Sequence, residues 1–196
     1  MEYLGTVVKR YRESPALLYW QVENEPYFPF GECPENAPEM IDYEIAAVRS
    51  ADKNHGIVIT DSGEFGLWVK AAKRGDAFGI TMYRRSYHEL FGQMEYKFPP
   101  WFYALKERLV RLILKEAEKP YLVVELAAEP WLERQLYESP VDDQLKVFDE
   151  NYFRNTVKYA REAGFSEYYL WGAEWWYWMK EKQGHPEFWE FARTLF

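Results

Sequence analysis

The sequence predicts a parallel α/β fold, and three observations carry that prediction. Short apolar, strand-like runs alternate with helical patterns along the whole chain. Segments leading from helix into strand are short and built from turn residues, whereas those leaving strands are longer and hold the unusual chemistry. Finally, 48% of the 196 residues are apolar, enough to bury a sizeable core.

The elements follow in order. Leu4, Val7, Val8 and Tyr11 recur at helical spacing until Ser14-Pro15 stops the helix. Leu17 to Val22 reads as a strand. Asn36 with Glu39 forms an N-cap pair, and Ile41, Ile45 and Val48 continue as one helix face. Gly56 to Thr60 is the second strand, followed by a short helix around Leu67 to Lys73, and Ala77 to Met82 is the third. Leu105, Leu109, Leu112 and Ile113 mark a helix that Lys119-Pro120 ends. Tyr121-Leu122-Val123-Val124-Glu125 is a continuous apolar strand, of the kind covered on both faces. Leu145, Phe148, Tyr152, Thr156 and Tyr159 follow at helical spacing up to Gly164. Tyr168 to Trp171 is the fifth strand and Phe188 to Phe196 the closing helix. No linker, low-complexity stretch or repeat interrupts the pattern, so residues 1–196 read as one domain.

Composition excludes several functions. Phe, Tyr and Trp number 13, 16 and 9, and the aromatic share is 19%, which rules out disorder. The formal net charge of −8, without a Lys/Arg block, offers no footprint for nucleic acid. No apolar run reaches the roughly 18 residues of a membrane span. The start, MEYLGTVVKRYRES, lacks a signal layout, which leaves the cytoplasm as the default location of this stretch. Cys33 is the only cysteine, and no set of histidines has metal-ligand spacing. His55 lies in a helix-to-strand turn, His185 beside Pro186, and His88 without a spaced partner. No glycine-rich phosphate loop follows a strand. The chain calls for neither a cofactor nor a metal.

Parallel α/β proteins place their sites at the carboxyl ends of strands. Glu25, in Asn24-Glu25-Pro26, follows the first strand, and Glu125 closes the fourth. Two such carboxylates can divide glycosidic cleavage, one as acid and one as nucleophile or base.

The run Tyr19-Trp20-Gln21-Val22-Glu23-Asn24-Glu25-Pro26 resembles the fourth strand of clan A retaining glycoside hydrolases, which are (β/α)8 barrels. The resemblance implies that the five strands are strands four to eight, with strands one to three absent. It implies that Glu25 is the acid/base and Glu125 the nucleophile, that Tyr83 touches the nucleophile, and that Trp171 floors the cleaved sugar. Asn24 is expected to bond the hydroxyl next to the anomeric carbon. The runs Glu125 to Trp131 and Trp171 to Trp176 are similar to a cellulase-like subgroup. The expected reaction is double displacement on a β-linked oligo- or polysaccharide.

Other exit-loop residues have two readings. Glu64, Glu129 and Glu174 either bind sugar hydroxyls or serve caps and surface. Trp131, Trp175 and Trp176 either stack on a pyranose or fill the core, while Glu23 is a supporting residue or half of an internal ion pair. A (β/α)8 barrel takes about 250 residues. The missing strands are therefore expected from an upstream polypeptide or a partner chain, with weak activity in isolation. The alternative is a non-catalytic, carbohydrate-binding half-barrel or an inactive remnant.

Overall fold

The computed structural model describes residues 2–29 and 38–196; Cys33 and the Asn36 cap lie outside them. The elements run α1 (Glu2–Tyr11), β1 (Tyr19–Gln21), α2 (Pro38–Ala51), β2 (Gly56–Asp61), α3 (Val69–Ala72) and β3 (Ala77–Met82). They continue with β4 (Arg85–His88), β5 (Gly92–Glu95), α4 (Trp101–Leu114) and β6 (Tyr121–Ala127). After a 3₁₀ turn (Leu136–Glu138) come α5 (Val141–Val147), α6 (Glu150–Ala163), β7 (Tyr168–Trp171) and α7 (Ala173–Trp178). A π turn (Met179–Gln183) and α8 (Glu187–Arg193) close the chain.

Contacts divide the chain into two compact units. The first comprises Met1–Thr81 with Leu105–Leu122. In it β1, β2 and β3 lie parallel in that order, with Trp20 opposite Ile57 and Ile59 opposite Phe78. The Phe78 amide donates to Pro120, setting the start of β6 beside β3. All six residues of β3 are buried, as expected of a parallel strand covered on both faces. Ile41, Ile45 and Val48 of α2 are buried, as are Ile57, Ile59 and Phe78 of the strands.

The second unit comprises Met82–Ala104 with Val123–Phe196. Here β6 pairs in parallel with β7, and β4 pairs antiparallel with β5. Phe148, Phe153, Trp175, Trp176, Phe188 and Phe191 form its core. Phe153 stacks on Trp176 at 5.1 Å, and Trp175 meets Phe188 at 4.6 Å. Among the described residues no helix is long and apolar enough to cross a membrane.

The expectation of five strand–helix units, standing for strands four to eight of a (β/α)8 barrel, is overturned. Strands and helices do not alternate one to one. The chain leaving β3 forms the β4–β5 pair before α4 begins, β6 is followed by two helices, and β7 by two more around a π turn. The cause is local. Gly92, at φ 68°, turns the chain between two extended runs, which then pair with each other. Asp149 accepts the Tyr152 amide at 2.6 Å and starts a fresh helix, so the apolar row from Leu145 to Tyr159 becomes two helices, α5 and α6. Gly164 ends α6 in the left-handed conformation.

Candidate functional site

In the first unit the sequence Asn24-Glu25-Pro26 turns sharply after β1. Glu25 has φ 45°, a left-handed conformation that costs a residue with a Cβ about 1–2 kcal/mol. Backbone bonds hold it there. The Glu25 amide donates to Thr60 Oγ1 at 2.8 Å, and the Glu25 carbonyl accepts the Phe28 amide at 2.9 Å. Its carboxylate is fixed as well: Thr81 Oγ1 donates to Glu25 Oε1 at 2.7 Å. Thr60 and Thr81 are both buried, on the adjacent strands β2 and β3. The exposed Asn24 accepts a bond from Gln21 Nε2 at 3.0 Å, and Glu23 is half-buried.

Glu64 sits elsewhere in the same unit, buried in the loop after β2. Lys106, from α4, donates to the Gly63 carbonyl at 2.8 Å and lies 4.3 Å from the Trp68 ring centroid. Burial pushes the Lys106 amine down to about 8, opposed by the charges of Asp61 and Glu64. Asp61 accepts the Ser62 and Trp68 amides, each at 2.9 Å, and burial raises its carboxyl nonetheless. Glu64 is thus enclosed in the loop, with its charge acting on Lys106.

In the second unit Tyr83 Oη donates to Glu125 Oε2 at 2.8 Å. Glu125 is half-buried in β6, and the Tyr83 ring meets Trp131 edge-on at 5.1 Å. Trp171, exposed at the end of β7, donates its indole N–H to Glu129 Oε1 at 3.0 Å. Burial raises the Glu129 carboxyl, the Trp171 bond opposes this, and the Glu174 charge adds to it. A cleft of about 430 Å³ opens here, lined by Tyr83, Glu129, Trp131, Arg134, Leu136 and Trp171. It sits at the carboxyl ends of β6 and β7. Gly172 (φ 137°) turns the chain below Trp171, where a Cβ would press on the Ala128 carbonyl.

The structure thus gathers Tyr83, Glu125, Glu129, Trp131 and Trp171 in one unit, and Asn24 with Glu25 in the other. Glu174 is exposed on the first turn of α7. Trp175 and Trp176 take the core reading: they are buried, donating to Gln144 Oε1 and the Ala128 carbonyl, each at 2.6 Å. Sequence reasoning missed Thr60, Thr81 and Lys106. The two threonines carried a signal, as polar residues inside otherwise apolar strands. Among the described residues no three His, Cys, Asp or Glu side chains gather as a metal would need; His55 meets Asp52 at 2.7 Å and His185 meets Glu187 at 2.9 Å.

Carboxylates and aromatics stand at the carboxyl ends of the parallel strands of an α/β fold. The fold is similar to part of a GH2 β-galacturonidase from Eisenbergiella tayi bound to galacturonate (TM-score 0.52, 16% identity over 80% of this chain). It is similar also to part of a β-glucuronidase from an uncultured Clostridium species (TM-score 0.54, 20% identity over 87% of this chain). The chain spans 26% and 29% of those two proteins, and at such identities the likeness is one of fold. Neither is a cellulase, so they lend nothing to a cellulase-like assignment. No protein-family model matches the chain, and no curated protein sequence does.

Proposed function

We propose that the chain carries the reacting groups of a retaining β-glycosidase acting on β-linked oligo- or polysaccharide. The observation that carries this reading is the hydrogen bond to Glu125, in the carboxyl-terminal half of β6, from Tyr83, which lines an aromatic cleft. A nucleophilic carboxylate must present one oxygen in a fixed direction, and a phenol donating to the other oxygen holds it so.

In this reading a Glu125 oxygen attacks the anomeric carbon as the bond to the leaving oxygen breaks, and protonated Glu25 supplies that oxygen's proton. An ester joins the sugar to Glu125. Glu25, now a carboxylate, takes a proton from water as that water attacks the anomeric carbon, and Glu125 leaves. Asn24 bonds the neighbouring hydroxyl, Trp171 and Trp131 supply flat apolar area, and Glu129 and Glu174 meet further hydroxyls. Glu64 and Trp175 support the loops that carry these groups.

The test is trapping with activated 2-fluoro β-glycosides, including a glucoside, a galactoside and a glucuronide, followed by peptide mass spectrometry. A sugar ester on Glu125 is expected, absent in Glu125→Gln. An ester on another residue, or none with any probe in folded protein, overturns the assignment. The glucuronide belongs in the panel because both solved relatives are named for uronide substrates.

A further inference from the structure

On the second unit a depression of about 420 Å³, which shares no lining residue with the cleft at Tyr83 and Trp171, has a different chemistry. Its lining includes Arg84 and Arg85 at the start of β4, and Tyr152, Asn155, Lys158 and Tyr159 on α6. Three cations in one hollow stand out in a chain with a net charge of −8.

The arginines are held by their faces. The Arg84 guanidinium carbon lies 4.6 Å from the Tyr159 ring centroid and 5.3 Å from that of Tyr152; that of Arg85 lies 3.9 Å from Tyr152. Contacts of this kind orient a guanidinium without consuming its N–H donors, which lie in its plane. Few of those donors are used. Arg85 gives one to the Val147 carbonyl at 2.6 Å and one to Glu95 at 3.2 Å. Arg84 meets Glu95 only at 3.9 Å, and its Nε is buried without a hydrogen-bond partner. Lys158 is mostly exposed and stands 3.8 Å from Glu162. The acids lining the hollow are thus Glu95 and Glu162, leaving an excess of positive charge and several donors from two separate elements.

We infer that this hollow binds a tetrahedral oxyanion, a phosphate or sulfate group, between Arg84, Arg85 and Lys158. A carboxylate is already present in Glu95, and it reaches mainly Arg85. A tetrahedral anion offers more acceptor oxygens, and so can take donors from β4 and from α6 together. The group can be the free ion or an ester on a sugar. In the second case Asn155 and the exposed rim of the hollow are available to the carrier. The site stands on its own geometry and does not depend on glycosidase activity.

The experiment is a titration of the chain, followed by ¹⁵N NMR of the arginine Nε–H and backbone signals. The probes are inorganic phosphate, inorganic sulfate, glucose 6-phosphate and glucose 6-sulfate, with sodium chloride and glucose as controls. Saturable shifts centred on Arg84, Arg85 and α6 are expected with the oxyanions and not with the controls. Arg84→Gln should weaken binding about tenfold, as the loss of one charge-assisted contact implies. Glu95→Gln, which keeps both arginines, should strengthen it. Equal affinity for the ion and its sugar ester assigns the free ion, and tighter binding of the ester that is lost in Asn155→Ala assigns the carrier. Non-saturable shifts shared with chloride overturn the proposal. So does binding that neither Arg84→Gln nor Glu95→Gln alters.

Discussion

Thr81 Oγ1 lies 2.7 Å from Glu25 Oε1 and donates to it, while Thr60, on the next strand, accepts the Glu25 amide at 2.8 Å. Two buried hydroxyls therefore fix both ends of one glutamate, its left-handed backbone and its carboxylate. A donor aimed at a carboxylate fixes the direction of its oxygens, and that hold is lost when the donor is removed. Thr81→Val, nearly isosteric, should lower kcat/KM on an activated glycoside by roughly tenfold, as the loss of one hydrogen bond to a charged group implies, with Tm changed by only a few degrees. Thr81→Ser should restore kcat/KM. Unchanged kcat/KM in the valine variant would show that the hydroxyl has no hold on the carboxylate.

Tyr83→Phe removes the donor to Glu125 Oε2 and leaves the ring against Trp131. Hydrogen bonds to charged groups are worth about 1.5–3 kcal/mol, which corresponds to roughly 10- to 100-fold in kcat/KM on an activated glycoside. Because packing is retained, Tm should change by only a few degrees. Unchanged kcat/KM would remove Tyr83 from the reaction.

The strands were legible because buried parallel strands are apolar runs; β2, β3 and β6 fall within a residue or two of the expected limits. Glu25 and Glu125 stood out as carboxylates following or closing an expected strand; in the structure β1 ends at Gln21 and β6 runs on to Ala127, so Glu25 lies in the loop and Glu125 inside the strand. The hairpin was not legible, since Arg85 to Glu95 mixes charges with aromatics and lacks the apolar run that announces a buried strand. Helix α4 shows a different limit. Its apolar row, Leu105, Leu109, Leu112 and Ile113, located the helix, yet those four side chains are 47–75% exposed and the helix turns Tyr103 and Val110 inward. Periodicity fixes a helix and a stripe, but what the stripe faces is decided by the neighbours. The tryptophans show the same limit: Trp175 and Trp176 of α7 are buried and Trp178 packs against their core, whereas Trp171, at the end of β7, is exposed.

Asp52 predicts acid sensitivity in the first unit. Its carboxylate accepts the Trp20 indole N–H at 2.9 Å and the Asn54 amide at 2.8 Å, and it meets His55 Nδ1 at 2.7 Å. The Trp20 bond above all, joined by the Asn54 and His55 contacts, holds it well below the usual carboxylate range against the opposing effect of burial. A carboxyl lowered on folding stabilises above its unfolded pKa, about 3.9, and the benefit is lost as the pH falls from there toward the folded value. Asp52→Asn should lower Tm at pH 7, and the gap to the parent should close as the pH is taken from about 5 to about 2. A gap independent of pH would contradict the linkage.

Lys106 carries the opposite dependence at the alkaline end. With its amine pushed down to about 8 by burial, against about 10.4 in an unfolded chain, the unfolded state binds more protons between those values. Stability contributed by this group must therefore rise with pH across that window, and be flat below and above it. In Lys106→Met the side chain still covers Trp68 but has no proton to release. The difference in Tm between parent and variant, which cancels the titration of the shared tyrosines, should shift in favour of the parent from pH 8 to pH 10. Amine protonation below that window burdens the fold, because burial takes the charge out of water and the charges of Asp61 and Glu64, the Gly63 carbonyl and the Trp68 ring offset only part of that loss. A difference that stays constant over the range would mean that the amine keeps its full hydration in the folded chain, and that the loop after β2 is held by Asp61 and Trp68 alone.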